Sequence, residues 1–437
     1  MKNPLETAEF FIHIKQNEKA KIVLDLLKPH AHTAEDIDRL GKLYSDIREY
    51  NDTLELAQRI YDLLPDDVSK FDVRTNIIRA HLNLNHPEEA LKYVLINEKE
   101  KPKDHGSQMD KAMVYFLLNR KEESERILRK ILTEPRTKDI DNRVKFNLGT
   151  FDLAKGNFKE GLNHVLLDGK LLNIWETYTL PIERWDGKTY PGKTILLAYE
   201  AGIGDEIINI RWQKHIQERG MNCVYYTERK DLAEVFKRNG FNIITDIKKI
   251  QPDWLWTYSM ETPVWLDIDY KDLWYGPYLK AKGTTDKLPG KFKIGLKYSG
   301  NLKYDQDLHR TIPKDLLVDC MPECATLYSF QVGDDIDFDD DRVLPLRDKI
   351  KSWDDTLNYL DQMDLVISSC TSLPHAASAM GKETIVMVPI LNYYTWAYKN
   401  KNSAWYSDST TILRQQKYDD WNVPLEELKV LLNEKKI

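Results

Sequence analysis

The sequence predicts a run of α-helical repeats followed by open α/β structure on parallel strands, and three observations predict it. From about residue 6 to 172 helical patterns alternate with short polar turns, with almost no strand signal. Within that stretch small or short residues recur at Thr53, Ala90, Ser124 and Gly161, spaced 37, 34 and 37 apart, close to the 34-residue tetratricopeptide period. Beyond it, apolar runs of strand length end in glycine or small hydroxyl residues and lead into helices.

In the first region Leu40-Gly41 with Tyr44 and Pro65, Ala90 with Pro102, and Leu148-Gly149 with Gly156 and Gly161 fit the repeat consensus loosely. They imply three to four repeats. A helical hairpin cannot bury its apolar face alone, so these are expected to stack into a short solenoid, with an irregular helical bundle as the alternative.

Three strand-to-turn segments carry the chemistry of the second region. Thr194–Tyr199 reads as a strand, Gly202 and Gly204 allow a tight turn, and a helix follows from Glu206. The turn lacks the third glycine of a dinucleotide fingerprint, which argues against NAD. It offers Asp205, either a general base able to take a proton from a hydroxyl or a plain helix cap. Lys293–Asn301 is a strand ending in Ser299-Gly300-Asn301, and after a polar loop Arg310-Thr311 precede a new helix, where the planar fork of an arginine suits a phosphate. Within Leu365–His375, the apolar run that stops in small hydroxyl residues and a histidine reads as a buried parallel strand. Past Cys370, Thr371, Ser372 and His375 enter a helix whose small-residue face runs from Ala376 to Met380. Unpaired amides at such a helix start suit an anion such as a diphosphate, an ordinary N-cap being the alternative.

Taken together, Arg184–Lys193, Glu200–Asp205, Tyr298–Asn301, Arg310–Pro313, Ser369–His375 and Pro389–Trp396 resemble, in order and spacing, the glycosyltransferase domain of tetratricopeptide-carrying bacterial and phage proteins. That domain is similar to the heptosyltransferases and, more distantly, to the O-linked N-acetylglucosamine transferases. The resemblance implies a GT-B fold, two Rossmann-like domains facing across a cleft. Its expected organisation is helical repeats over 1–172, an acceptor-side domain over 173–285 and a nucleotide-sugar domain over 286–437. By the same resemblance Asp205 is the general base, and Arg310, Thr371, Ser372, His375, Ser299 and Asn301 meet the donor diphosphate. Cys370, Gln331, Tyr393, Tyr394 and Trp396 lie near the donor sugar or base. Cys370 and Ser372 depart from the heptosyltransferase pattern, which has aspartate and glycine there, so a heptose donor is not implied.

The function expected is transfer of a sugar from a nucleotide-sugar to a hydroxyl of a macromolecule, with protein the favoured acceptor. A lipid-linked glycan or a modified nucleic-acid base is the alternative acceptor, and a repeat scaffold with a decayed transferase domain the alternative class. No cofactor and no metal are expected. Gly187–Thr194 matches the ATP-binding P-loop letter for letter, but it precedes a strand and contains Pro191, so it is rejected. Asp334–Asp341 reads as an acidic surface loop, without the glycine and glutamate of a calcium loop. A net charge of −7 over 437 residues argues against a whole-surface grip on nucleic acid. No apolar run approaches a membrane span, no signal peptide is legible, and four cysteines are too few for a disulfide scaffold, so a cytoplasmic location is expected.

Overall fold

The computed structural model describes residues 4–172, 178–274, 276–300, 307–332 and 337–435, with backbone alone at 308, 407 and 408. The chain divides into two compact units, Met1–Ile140 and Asp141–Ile437.

Helical hairpins fill the first unit and open the second. The pairs are Pro4–His13 with Asn17–Leu27, Ala34–Asp46 with Tyr50–Leu63, Phe71–Asn83 with Pro87–Glu100, His105–Leu117 with Lys121–Ile131, and Lys138–Ala154 with Phe158–Leu162. Each hairpin turns through one left-handed residue: Lys15, Arg48, Asn85, Asn119 and Gly156. Five positions later comes a small residue, in turn Ala20, Thr53, Ala90, Ser124 and Gly161. Where two helices must approach closely, the side chain between them has to be small. Thr53 Oγ1 donates to the Gly41 carbonyl at 3.4 Å, and Ser124 Oγ to the Ala112 carbonyl at 2.6 Å. A Cβ on Gly161 would stand 3.0 Å from the Gly149 carbonyl, and Ala20 and Ala90 are fully buried. The recurrence in the sequence is therefore this interhelical contact. It occurs in five hairpins among the described residues, one more than the three to four expected, because the turn at Lys15 carries no turn-forming residue to mark the first. The fifth hairpin belongs to the second compact unit, where it runs on through a π-helical turn, Asn163–Asp168.

Two parallel sheets form the rest of the second unit. The first comprises β1 (Glu183–Arg184), β2 (Thr194–Ala198), β3 (Asn222–Tyr226), β4 (Ile243–Ile244) and β5 (Leu255–Tyr258), in the order β1-β5-β2-β3-β4. The second comprises β6 (Lys293–Lys297), β7 (Thr326–Ser329), β8 (Val343–Pro345), β9 (Leu365–Ser369), β10 (Thr384–Val388), β11 (Asn402–Ser403) and β12 (Ser407–Arg414). Its order is β11-β12-β10-β9-β6-β7-β8, parallel except for the β11–β12 edge. β9 and β10 are buried along their whole length, which is why they read as unbroken apolar runs.

Both sheets wind the same way. A central strand, β2 or β6, is followed by strands laid outward to one side, and the chain then crosses to the other side as β5 or β9. In such a sheet ligands bind beyond the carboxyl ends of the strands where the direction of winding reverses. Those points are β2/β5 and β6/β9. The P-loop lookalike is a loop turning at Gly187 and Gly192, both left-handed, that feeds β2 and opens no helix.

Candidate active site

Beyond β2 the chain passes Glu200 and Ala201 into the helix Ile203–Asn209. Ala201 holds a left-handed conformation (φ 58°), uncommon for a residue with a side chain, and Arg229 pins it by donating to its carbonyl at 3.1 Å. The same guanidinium pairs with the fully buried Glu206. This braced turn aims Asp205, which is half-buried. Its Oδ2 accepts the Gly202 N–H at 3.0 Å, and its Oδ1 accepts the Tyr393 hydroxyl at 2.7 Å. The cap reading of Asp205 is thus correct for one oxygen, with the aspartate three residues beyond the cap position and reaching back. The other oxygen is held from the second sheet's side. Burial raises the Asp205 pKa, and the Tyr393 and Gly202 hydrogen bonds oppose that rise.

Glu200 is buried and accepts the Met260 N–H at 3.1 Å while pairing with Lys170. Burial pushes its carboxyl up to about 7 against the pull of Lys170, and lowers the Lys170 pKa. Trp256 and Tyr258 at the end of β5 pack with Tyr178 and fill core, with Arg184 and Lys170 over their faces.

The second switch point gathers a cation and hydroxyls. Arg310 donates from Nε to Asp307 at 2.8 Å and from Nη1 to the Cys370 carbonyl at 3.0 Å, so it ties the turn after β6 to the turn after β9. Its backbone carbonyl accepts from Ser369 Oγ at 2.6 Å. A Cβ on Gly300 would collide with the guanidinium, so any larger residue there would displace Arg310 from this position. Asp307 is buried, accepts the Gly300 N–H at 3.1 Å, and serves as a bracket. Thr371 caps the helix Ser372–Ala379 and accepts the Leu373 N–H at 3.4 Å, leaving half-buried Ser372 at its first turn. Burial pushes the Cys370 thiol up to about 11, so it stays protonated at neutral pH.

The two turns meet. A Cβ on Gly204 would lie 2.9 Å from the His375 ring and 3.4 Å from Ser372 Cα, so the second glycine of the Gly-Ile-Gly turn is the point where the helices after β2 and β9 touch. One hydrophobic core runs through both helices and on to Trp396 and Trp405.

Several expected site residues play other parts. Gln331 is fully buried and spends its amide on Ser299 at 2.8 Å and Lys297 at 3.2 Å, so it braces the strand ends from within and does not face a base. Ser299 is buried as that partner. His375 is buried, hydrogen-bonded through Nδ1 to Tyr406 at 2.9 Å and stacked on Trp396 at 4.7 Å. Burial pushes its pKa down to about 3. Tyr394 and Trp396 are buried with it, and Tyr393, expected by the donor, reaches Asp205 instead. Asn301 lies outside the described residues.

Arg211, Arg229 and Lys170 join the site's framework, although the sequence reading singled out none of them. Arg211 is fully buried and donates to the carbonyls of Leu273 and Trp405 at 2.6 and 2.7 Å, linking the connection between the sheets to the second sheet. Only the apolar run around it, Ile207-Ile-Asn-Ile-Arg-Trp212, hinted at burial. Among the described residues one group is close enough to share a cation, Asp152, Glu160 and His164, where His164 Nδ1 and Asp152 Oδ2 lie 3.3 Å apart. No described helix is long and apolar enough to cross a membrane.

No protein-family model matches the sequence, and no curated protein matches it. Among solved structures, the chain is similar to a point mutant of the O-GlcNAc transferase of Thermobaculum terrenum, at 10% identity and a TM-score of 0.35, covering 99% of this chain and 92% of that one. It is similar to the E. coli heptosyltransferase WaaC with ADP at 10% identity and a TM-score of 0.38, covering 55% of this chain and 99% of that one. A thermophilic TPR protein of Thermus thermophilus aligns at 18% identity and a TM-score of 0.30, over 38% of this chain and 89% of that one. All three TM-scores lie below 0.5, so they carry no residue roles across to this chain.

Proposed function

We propose that the protein is a glycosyltransferase that moves a sugar from a nucleotide-sugar to a hydroxyl of a macromolecular acceptor, protein being the favoured one. The observation that carries this reading is the contact between the two switch points. A carboxylate on the turn after β2 and a cation with a helix N-terminus on the turns after β6 and β9 are brought side by side at Gly204. One side is suited to taking a proton, the other to holding an anion.

In the reaction Asp205 takes the acceptor's hydroxyl proton as that oxygen attacks the anomeric carbon. The bond from the anomeric carbon to the donor phosphate breaks, and its electron pair leaves on the nucleoside diphosphate. Arg310, Ser372 and the amides of the helix start oppose that growing charge, usually the largest catalytic effect. The helical hairpins are the proposed docking surface for a macromolecule, since stacked repeats expose extended faces.

Asp205→Asn tests the reading. Asparagine can still accept the Gly202 N–H, so melting temperature and donor affinity are expected to hold while kcat falls roughly 100- to 10,000-fold. Hydrolysis of a panel of nucleotide-sugars names the donor. A variant with near-normal kcat would show that Asp205 is a cap alone.

A further inference from the structure

The geometry points to Tyr393 as a positioning residue for Asp205, delivered from the second sheet so that the base is complete only when the two halves of the site are apposed. This inference rests on the reading of Asp205 as the base. Tyr393 sits in the loop after β10, whereas Asp205 follows β2, 188 positions earlier, yet hydroxyl and carboxylate are 2.7 Å apart. The tyrosine is half-buried, while its neighbours Tyr394 and Trp396 are buried, so the loop is anchored by those two and presents Tyr393 at its open side.

A carboxylate in a half-buried turn is pushed toward its neutral form, useless as a base. A phenol donating to it favours the charged form, because hydrogen bonds to charged groups are the stronger kind. Other groups around the carboxylate act less directly. Arg229, braced beneath the turn, favours the charge, while Glu206 on the same helix is paired with Arg229. Tyr394 packs beside Tyr393, and His375 behind Gly204 is neutral. The Gly202 N–H holds the second oxygen and fixes the plane of the carboxylate. Tyr393 on Oδ1 and the Gly202 N–H on Oδ2 thus hold the carboxylate from two sides.

Tyr393→Phe keeps the ring and removes the donor. The test follows the Asp205 carboxyl by ¹³C NMR titration of the full chain labelled at aspartate, with Asp205→Asn assigning the resonance, alongside the pH dependence of kcat/KM. In Tyr393→Phe the Asp205 titration and the acid limb of kcat/KM are expected to move together to higher pH. On that limb kcat/KM falls roughly tenfold or more, with the alkaline plateau and donor KM near wild type. Placing 3-fluorotyrosine, a stronger donor, at 393 moves both the other way, which keeps the inference open to test if the phenylalanine variant folds poorly. A titration unmoved in both proteins overturns the role of Tyr393, whatever the activity. Silence of Asp205→Asn in kcat, with the titration still responding to residue 393, overturns the base reading and leaves the coupling standing.

Discussion

The two parallel sheets share one winding and differ in the charge they place at its reversal. At the ends of β2 and β5 stand Glu200, Asp205, Glu206 and Glu261, with Lys170, Arg184 and Arg229 as partners. At the ends of β6 and β9 stand Lys297 and Arg310, with Asp307 as the bracket and hydroxyls around them. The shared winding therefore places carboxylates at one reversal and a cation with hydroxyls at the other. Sheet order positions a site, and the residues of the turns decide what it can do.

The largest effect that could break this contrast belongs to Arg310. If the second switch point holds the leaving diphosphate, Arg310→Ala lowers kcat roughly 100- to 1,000-fold and weakens nucleoside diphosphate binding by titration calorimetry. Loss of the arginine also strands buried Asp307, so Arg310→Lys, which keeps the charge without the fork, belongs beside it. Unchanged affinity in both variants would leave the two sheets alike in having structural turns only.

The next effect concerns the acid-rich side. Lys170→Met leaves Glu200 buried without its cation, at a cost that reaches about 3 kcal/mol well above pH 7, where the carboxyl would otherwise be charged. The pH dependence gives the sign. Glu200 already has a raised pKa, and without Lys170 it rises further, so the folded chain keeps the proton that the unfolded chain gives up. The loss is accordingly small near pH 5 and grows as pH rises past about 7. Denaturant unfolding at pH 5 and at pH 9 measures it, and adding Glu200→Gln should recover most of the stability at the higher pH.

An effect absent at neutral pH, and confined to acid, sharpens the second sheet's share. Unfolded chains protonate a histidine near 6.5, but buried His375 takes a proton only near 3. Stability is full above pH 6.5 and declines below it, by up to about 1.4 kcal/mol per pH unit. His375→Gln should flatten that slope in acid unfolding curves. A slope that persists would place its cause at another group, half-buried His309 being the next, with a pKa pushed down to about 4.

Much of this was legible without coordinates. The repeat spacing of Thr53, Ala90, Ser124 and Gly161 identifies an interhelical contact, since only small residues fit there. The strands β2, β6 and β9 and their turns are legible because buried parallel strands read as apolar runs and tight turns demand glycine or small polar residues. Burial was not legible from residue type alone. Gln331, His375, Tyr394 and Trp396 have side chains that suit a nucleotide, yet they are buried, because the same polar tips and flat faces also satisfy a core.

The chain's own order of residues thus settles which segments become helices, strands and turns, and puts Asp205, Arg310 and Thr371 at strand ends. Local sterics and burial of apolar runs act over a few residues and leave their mark in the sequence. The pairing of Tyr393 with Asp205, the lock of Gly204 on His375 and the bridge of Arg211 from Leu273 to Trp405 join residues 62 to 194 positions apart. Such contacts exist only once both sheets have packed on one core, and no local pattern encodes them.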